Sequence, residues 1–345
     1  MHVINDRAIV LKTKRPHLVT EQIKNHKILQ ETDGVYKLAI RWDLHEAQVL
    51  ASLKVKDIRS PIDRDYGWTG KYTPFDHQKE TSNFLTLHKK AFCFNEQGTG
   101  KTASVIWAAD YLMNMGQVNR VLVICPLSIM KSAWQQDLFK FAMHRSCSVA
   151  HGTSTQRKKI LDAGAEFVII NYDGVAVVMD EIMKGGFDMV VIDEANAYKN
   201  AQTNRWKTLK AIVEDVPWLW MLTGTPAAQS PVDAFGLAKL INPDGVPKYF
   251  GQFRDKVMYK VTQFTWRPKS DSDKTVHEAL QPAIRFEKDQ CLDLPPVTYV
   301  ERNAPLTKQQ ETYYKLLKDQ MVMEADGEQV TSVNAATNLD KLLQI

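Results

Sequence analysis

At 345 residues the chain is long enough for two or three structural units around a sizeable buried core. Its 44 Lys+Arg against 40 Asp+Glu leave a net charge of +4, compatible with a polyanionic partner but too small to demand one. Four widely spaced cysteines without a C-x-x-C pair read as buried thiols of a reducing compartment. No apolar run reaches the roughly 18 residues of a membrane span, and the N-terminus lacks a signal-peptide pattern.

Residues 1–70 read as a small mixed unit. Positions 2–4 and 8–11 suggest strands, 19–29 a helix, and 35–42 alternates as a strand does. Asp43 is placed to cap a helix opening at Leu44. Lys12, Lys14, Arg15, Lys24 and Lys27 recur here, with Trp42 and Trp68 nearby. Basic and aromatic residues together suit nucleic-acid contact, and equally a solvated face over core tryptophans. Residues 60–70 read as a linker.

From Pro74 the pattern becomes regular. Apolar runs at 91–94, 121–125, 167–170, 189–192 and 218–222 alternate with helical stretches. Runs without polar alternation suit strands covered on both faces, and the helices supply the crossovers, so the fold class is α/β with a mostly parallel sheet. After Pro243-Asp244-Gly245 the sheet pattern stops and the sequence turns helical, with a polar loop within 262–276. Thr307 to Gln310 fits a capping box for a helix running through Leu316 and Leu317.

The chemistry centres on Asn95-Glu96-Gln97-Gly98-Thr99-Gly100-Lys101-Thr102, between an apolar run and a good helix former. Strand, glycine-bearing loop, Lys-Thr and helix is the order a phosphate-binding loop needs. Gly98 and Gly100 let the backbone curl so that N–H groups face phosphate oxygens, and the helix N-terminus adds its positive end. Lys101 would reach the β/γ-phosphates of a bound nucleotide, and the Thr102 hydroxyl would ligate Mg²⁺. The strict motif has Gly where Asn95 stands, and a polar strand-to-helix turn is the competing reading. Downstream, Asp193 and Glu194 follow the run Val190-Val191-Ile192, at the crevice where parallel sheets bind ligands. Asp193 would hold Mg²⁺ through water, and Glu194 would polarise the attacking water. Thr223, Gly224 and Thr225 close another apolar strand and could sense the γ-phosphate, with a plain strand-end turn as the alternative.

In order, Gly-x-Gly-Lys-Thr, Asp-Glu-Ala-x and Leu-Thr-Gly-Thr-Pro resemble motifs I, II and III of superfamily 2 helicases. More narrowly, the chain is similar to the Swi/Snf-type DNA translocases. Residues 72–78 resemble the adenine-reading Q motif, with Gln78 in its place. Residues 121–129 resemble motif Ia, with Trp134 where that family has a tryptophan. Ile170-Asn171-Tyr172-Asp173, His151-Gly152 with Arg157, residues 195–200 and Leu292-Asp293-Leu294-Pro295-Pro296 also fit. Three positions depart from the pattern. Asn196 replaces the usual His of motif II, Ala228-Gln229 replaces Gln-Asn, and Arg285-Phe286 replaces paired arginines.

The resemblance implies a RecA-like P-loop lobe at 71–300, with a helical insertion about 235–290. Before it comes an N-terminal accessory unit at 1–70, and after it a helical extension at 301–345. It implies ATP bound by Gln78, Gly98, Thr99, Gly100, Lys101 and Thr102, Mg²⁺ at Thr102 and Asp193, and catalysis by Lys101, Asp193 and Glu194. Pro126, Ser128, Asn171, Thr223, Gly224 and Thr225 become candidates for DNA contact and coupling. The implied activity is Mg-ATP hydrolysis coupled to movement on double-stranded or branched DNA. A strand-separating DNA or RNA helicase and a nucleotide-gated DNA clamp are the alternatives. A monomer away from membranes is expected, in a bacterial or phage-infected cytoplasm, or in a nucleus if eukaryotic. No second motor lobe is found before Ile345, so the chain reads as a first lobe, nearly inactive alone.

Overall fold

Four antiparallel strands come first in the computed structural model, which describes residues 2–227, 229–291, 300–301 and 303–325. They are β1 (His2–Ile4), β2 (Ala8–Thr13), β3 (His26–Thr32) and β4 (Val35–Arg41), in the order β1-β2-β4-β3. Ile9, Leu11, Leu38 and Ile40 share one face and pack with Ala47 and Leu50 of α2 (Leu44–Ser52). The helix expected at 19–29 is not formed. A single turn, α1 (His17–Thr20), is followed by β3, which pairs with β4 through the two-residue turn Asp33-Gly34. Both turn residues have positive φ, +50° and +72°, the geometry of a tight hairpin. Asp43 does precede α2, but its carboxylate turns to Arg41 at 2.6 Å and leaves the cap unmade.

The presumed linker at 60–70 is packed structure. It contains α3 (Ile62–Asp65), and Ile62 and Tyr66 are buried. The Tyr66 hydroxyl donates to the buried Asp110 carboxylate at 2.6 Å, and Trp68 meets Trp107 edge to face. Pro, Gly and Asp made this stretch resemble a spacer, but its aromatic rings are what bury it.

The main sheet has seven parallel strands in the order β13-β5-β10-β9-β6-β8-β7. These are β5 (Lys90–Cys93), β6 (Val121–Cys125), β7 (Cys147–Ala150), β8 (Phe167–Asn171), β9 (Met189–Ile192), β10 (Trp218–Leu222) and β13 (Ala283–Ile284). Successive side chains go to opposite cores, as strands buried on both faces require. Leu122, Ile124, Val190 and Ile192 face one, and Val121, Val123, Met189 and Val191 face the other. The helices that cover the two faces start with α4 (Asp76–Leu87), α5 (Lys101–Asn114) and α6 (Gln136–Phe141), the last entered by a π-helical turn at Met130–Gln135. Then come α7 (Ser154–Asp162), α8 (Tyr172–Val177), α9 (Met179–Lys184), α10 (Asn204–Val213) and α11 (Ala234–Ile241).

Beyond residue 245 the chain is not purely helical. After α12 (Phe250–Val257) comes a hairpin of β11 (Met258–Lys260) and β12 (Trp266–Pro268), and then α13 (Ser272–Ala279), which starts within the segment read as a polar loop. β13 then returns to the main sheet beside β5, two residues too short to show in a hydropathy pattern. A short α14 (Lys288–Cys291) ends the described part of the first of two compact units, Met1–Asp293. In the second unit, α15 (Lys308–Ala325) is capped as expected. Thr307 N–H donates to Gln310 Oε1, and Gln310 N–H donates to Thr307 Oγ1. The Leu-Pro-Pro stretch, Ala228 and residues 342–345 lie outside the described residues.

Candidate nucleotide-binding and active site

Sheet order brings the motifs together. β5, β10 and β9 are neighbours, so the loops leaving their C-terminal ends lie side by side: the phosphate-binding loop, Thr223-Gly224-Thr225 and Asp193-Glu194. Gly98 and Gly100 have φ of +88° and +80°, which side chains with a Cβ adopt only with strain. Lys101 opens α5, and its ammonium donates to the Asn95 carbonyl at 2.7 Å, keeping the cation on the loop. Thr102 follows on the first turn, while the buried Thr99 hydroxyl donates to Glu96 O at 2.8 Å and holds the loop's bend.

Asn95 earns its departure from glycine. Buried, it donates from Nδ2 to Thr81 Oγ1 at 2.8 Å and accepts at Oδ1 from Phe286 N–H at 3.0 Å. It thereby ties the loop to α4 and to the segment after β13. Gln78 sits on α4 against the loop. Its Nε2 donates to Thr99 O at 3.2 Å and its Oε1 accepts from Phe75 N–H at 3.0 Å. One N–H and one lone pair of that amide remain for a base edge. His77 bonds the same carbonyl at 2.8 Å and stacks with the exposed Phe75, while Phe286 leans on its ring.

Asp193 is almost fully buried. Its Oδ2 accepts from Trp134 Nε1 at 2.9 Å and its Oδ1 from Glu194 N–H at 3.0 Å. Burial raises its carboxyl above the usual range and the Glu194 charge adds to this, against the Trp134 bond and the pull of Lys101. Such a carboxylate gains from a cation, so the residues present fit a magnesium ion shared with phosphates. Glu194 has a left-handed backbone, φ +50°, a strained conformation for Glu. The Tyr172 hydroxyl braces it by donating to the carbonyls of Asp193 and Glu194. Gln97 donates to its carboxylate at 3.3 Å.

The SNF2-related domain model matches residues 77–345. This chain belongs to that family. Among its relatives, the chromatin-remodeling ATPase INO80 of Sclerotinia sclerotiorum is 26% identical over 244 residues, covering 66% of this chain and 14% of its own length. The ATP-dependent helicase FUN30 of Saccharomyces cerevisiae is 26% identical over 279 residues, covering 73% and 24%. An uncharacterized ATP-dependent helicase of Bacillus subtilis, YqhH, is 22% identical over 244 residues, covering 68% and 39%. The chain thus spans well under half the length of these proteins. The SWI2/SNF2 ATPase core of Sulfolobus solfataricus in complex with dsDNA shares the fold, with a TM-score of 0.55 and 22% identity over 80% of this chain and 59% of that one.

In SNF2 terms, the Asn196 substitution keeps motif II joined to motif III. Asn196 Nδ2 donates to the Thr225 carbonyl at 2.9 Å, and Thr225 N–H donates to Thr223 Oγ1 at 3.3 Å. A Cβ on Gly224 would reach ordinary contact with the phosphate-binding loop at 95–97. The six candidates for coupling or DNA contact divide. Ser128 and Thr225 are exposed, and Pro126 and Gly224 half-buried. Thr223 is buried, and so is Asn171, whose Oδ1 accepts from Arg157 at 2.9 Å. Of the six, only Ser128 and Thr225 therefore stand fully open at the strand ends. Sequence reasoning missed Lys288, whose chain lies over Gly98 while its N–H donates to Glu96 Oε2 at 2.9 Å. No local pattern links residue 288 to the loop; only the return of β13 beside β5 does.

Proposed function

We propose that this chain is the ATP-binding lobe of a motor that couples Mg-ATP hydrolysis to movement along double-stranded DNA. The observation that carries this is the joining of three strand ends. Lys101, the Asp193-Glu194 pair and Thr225 meet at one edge, with Asn196 linking the last two. Gly98, Thr99, Gly100 and Lys101 would bind the phosphates, with Gln78 and the Phe75–His77 pair beside the base. Thr102 and Asp193 would hold Mg²⁺, which supplies Lewis-acid stabilisation of charge on the phosphates. Trp134 and Glu194 N–H orient the Asp193 carboxylate. Glu194 accepts the proton of the attacking water, its carboxylate aimed by Gln97 and its backbone fixed by Tyr172. A change at the phosphates reaches Thr225 through Asn196, and Thr225 faces outward where a DNA strand would run. The neighbouring fold solved with dsDNA supports duplex DNA as the track.

Equilibrium binding of fluorescent ATP with Mg²⁺ to the 345-residue chain tests the site, with Lys101→Ala as the control. Equal affinity in both would overturn it. In the protein as the cell makes it, triplex displacement without strand displacement is expected. Strand displacement alone would make it an unwinding helicase.

A further inference from the structure

Net charge is concentrated at one end of the chain. Residues 1–41 hold eight Lys and Arg against four Asp and Glu, which accounts for the whole +4. Strand register shows where these cations stand. On the face away from the accessory core, Lys12 of β2 lies directly opposite Lys37 of β4, and Lys37 opposite Gln30 of β3. The next row on that face is Val10, Ala39 and Lys27, and Arg41 follows opposite Ala8. The outward positions of β2, β3 and β4 include no carboxylate, and Glu31 falls on the other face, opposite Tyr36. Arg41 is paired with Asp43, but Lys12, Lys27 and Lys37 make no ion pair among the described residues.

Like charges facing each other across strands oppose sheet formation. A lysine on edge strand β3 guards against pairing with another chain, which accounts for Lys27. That explanation fails for Lys12 and Lys37, because β2 and β4 are the inner strands. What remains is a polyanionic partner. The half-buried Ala8 and Ala39 and the buried Val10 separate the cations, and no position of β2–β4 on this face carries an aromatic ring for base stacking. We propose that this sheet face is a second nucleic-acid surface, which grips the phosphate backbone of a DNA duplex without reading bases. The proposal rests on the motor reading only in taking DNA as the polymer.

The test is anisotropy titration of a short random-sequence duplex with the 345-residue chain, between about 50 and 200 mM salt. The variant carries Lys12→Gln, Lys27→Gln and Lys37→Gln together. Its slope of log affinity against log salt should be shallower by about 2–3, as three lost phosphate contacts require. Different duplex sequences should lose affinity alike. ATP binding should stay the same, and Tm should not fall, because a repulsion has been removed. An unchanged slope with duplex binding retained would overturn the proposal. So would a wild-type chain that binds ATP but no duplex, or a loss confined to single strands. If the wild type binds duplex with this salt dependence but no ATP, the motor reading fails and this surface stands.

Discussion

Lys101 and Glu194, the second bonded by Gln97 of the loop that carries the first, are expected to fail in different ways. The Lys101 ammonium is held by one backbone carbonyl, so Lys101→Ala should fold as the wild type does. Losing a charge-assisted bond to phosphate should weaken ATP binding by about 10- to 100-fold. Glu194→Gln keeps the shape and can still meet Gln97, but it accepts no proton. ATP binding should survive while turnover falls by about 10²- to 10⁴-fold. Loss of binding in a folded Glu194→Gln protein would instead make Glu194 a nucleotide ligand. Asn196→Ala removes the side-chain link to Thr225 without touching the loop. In the protein as the cell makes it, it should leave ATP affinity intact and reduce the acceleration of turnover by DNA. Equal stimulation in wild type and variant would rule out that bond as the coupling element.

Helix α11 shows how closely elements beside the site are fitted. A Cβ on Gly236 would stand 2.2 Å from the Lys199 carbonyl oxygen, a clash with backbone that cannot swing away. Gly236→Ala should therefore destabilise the fold by about 1–3 kcal/mol, read from urea unfolding, by pushing α11 off the turn after motif II. In the sheet, burial pushes the thiols of Cys93 and Cys125 up to about 11 and about 12. Neither should react with a thiol reagent at pH 8 until the chain unfolds. The five apolar strands of the sheet were legible because each is covered on both faces and reads as an unbroken run. β7 and β13 were not, being an edge strand with Ser148 in it and a two-residue return. β3 resembles a helix in sequence because Ile23 stands four residues from Val19, but the Asp33-Gly34 turn decides for a hairpin. At the site, residues carried by contiguous motifs were legible. Lys288 and the second duty of Asn95 depend on contacts nearly two hundred residues apart in the chain, which no local pattern contains.

At the scale of the molecule, α4 is shared between the accessory unit and the lobe. Its first turn carries Gln78 at the phosphate-binding loop, and its last residue, Leu87, enters the accessory core. Gln48 of α2 donates to Thr86 O and Gln117 Oε1, and Ser60 N–H donates to Asn83 Oδ1, so the accessory unit is fastened to that helix. The phosphate site itself is cationic from one side. Lys101 and Lys288 lie on the loop, whereas Arg157 is committed to Ala150, Gly152 and Asn171, and Arg285 to Glu287. None of the arginines among the described residues bonds to the loop or to the Asp193-Glu194 pair. Phosphoryl transfer needs positive charge on the opposite side of the γ-phosphate as well, and an arginine supplied there is worth about 10³–10⁵ in rate. The 345-residue chain should therefore bind ATP, turn it over slowly, and respond little to duplex DNA. A protein that also carries a facing lobe with such arginines should hydrolyse ATP faster by about that factor when DNA is present. Steady-state phosphate release, with Glu194→Gln as the blank for contaminating ATPase, measures both. Fast, DNA-stimulated release from the 345 residues alone would mean that this lobe completes its own transition state.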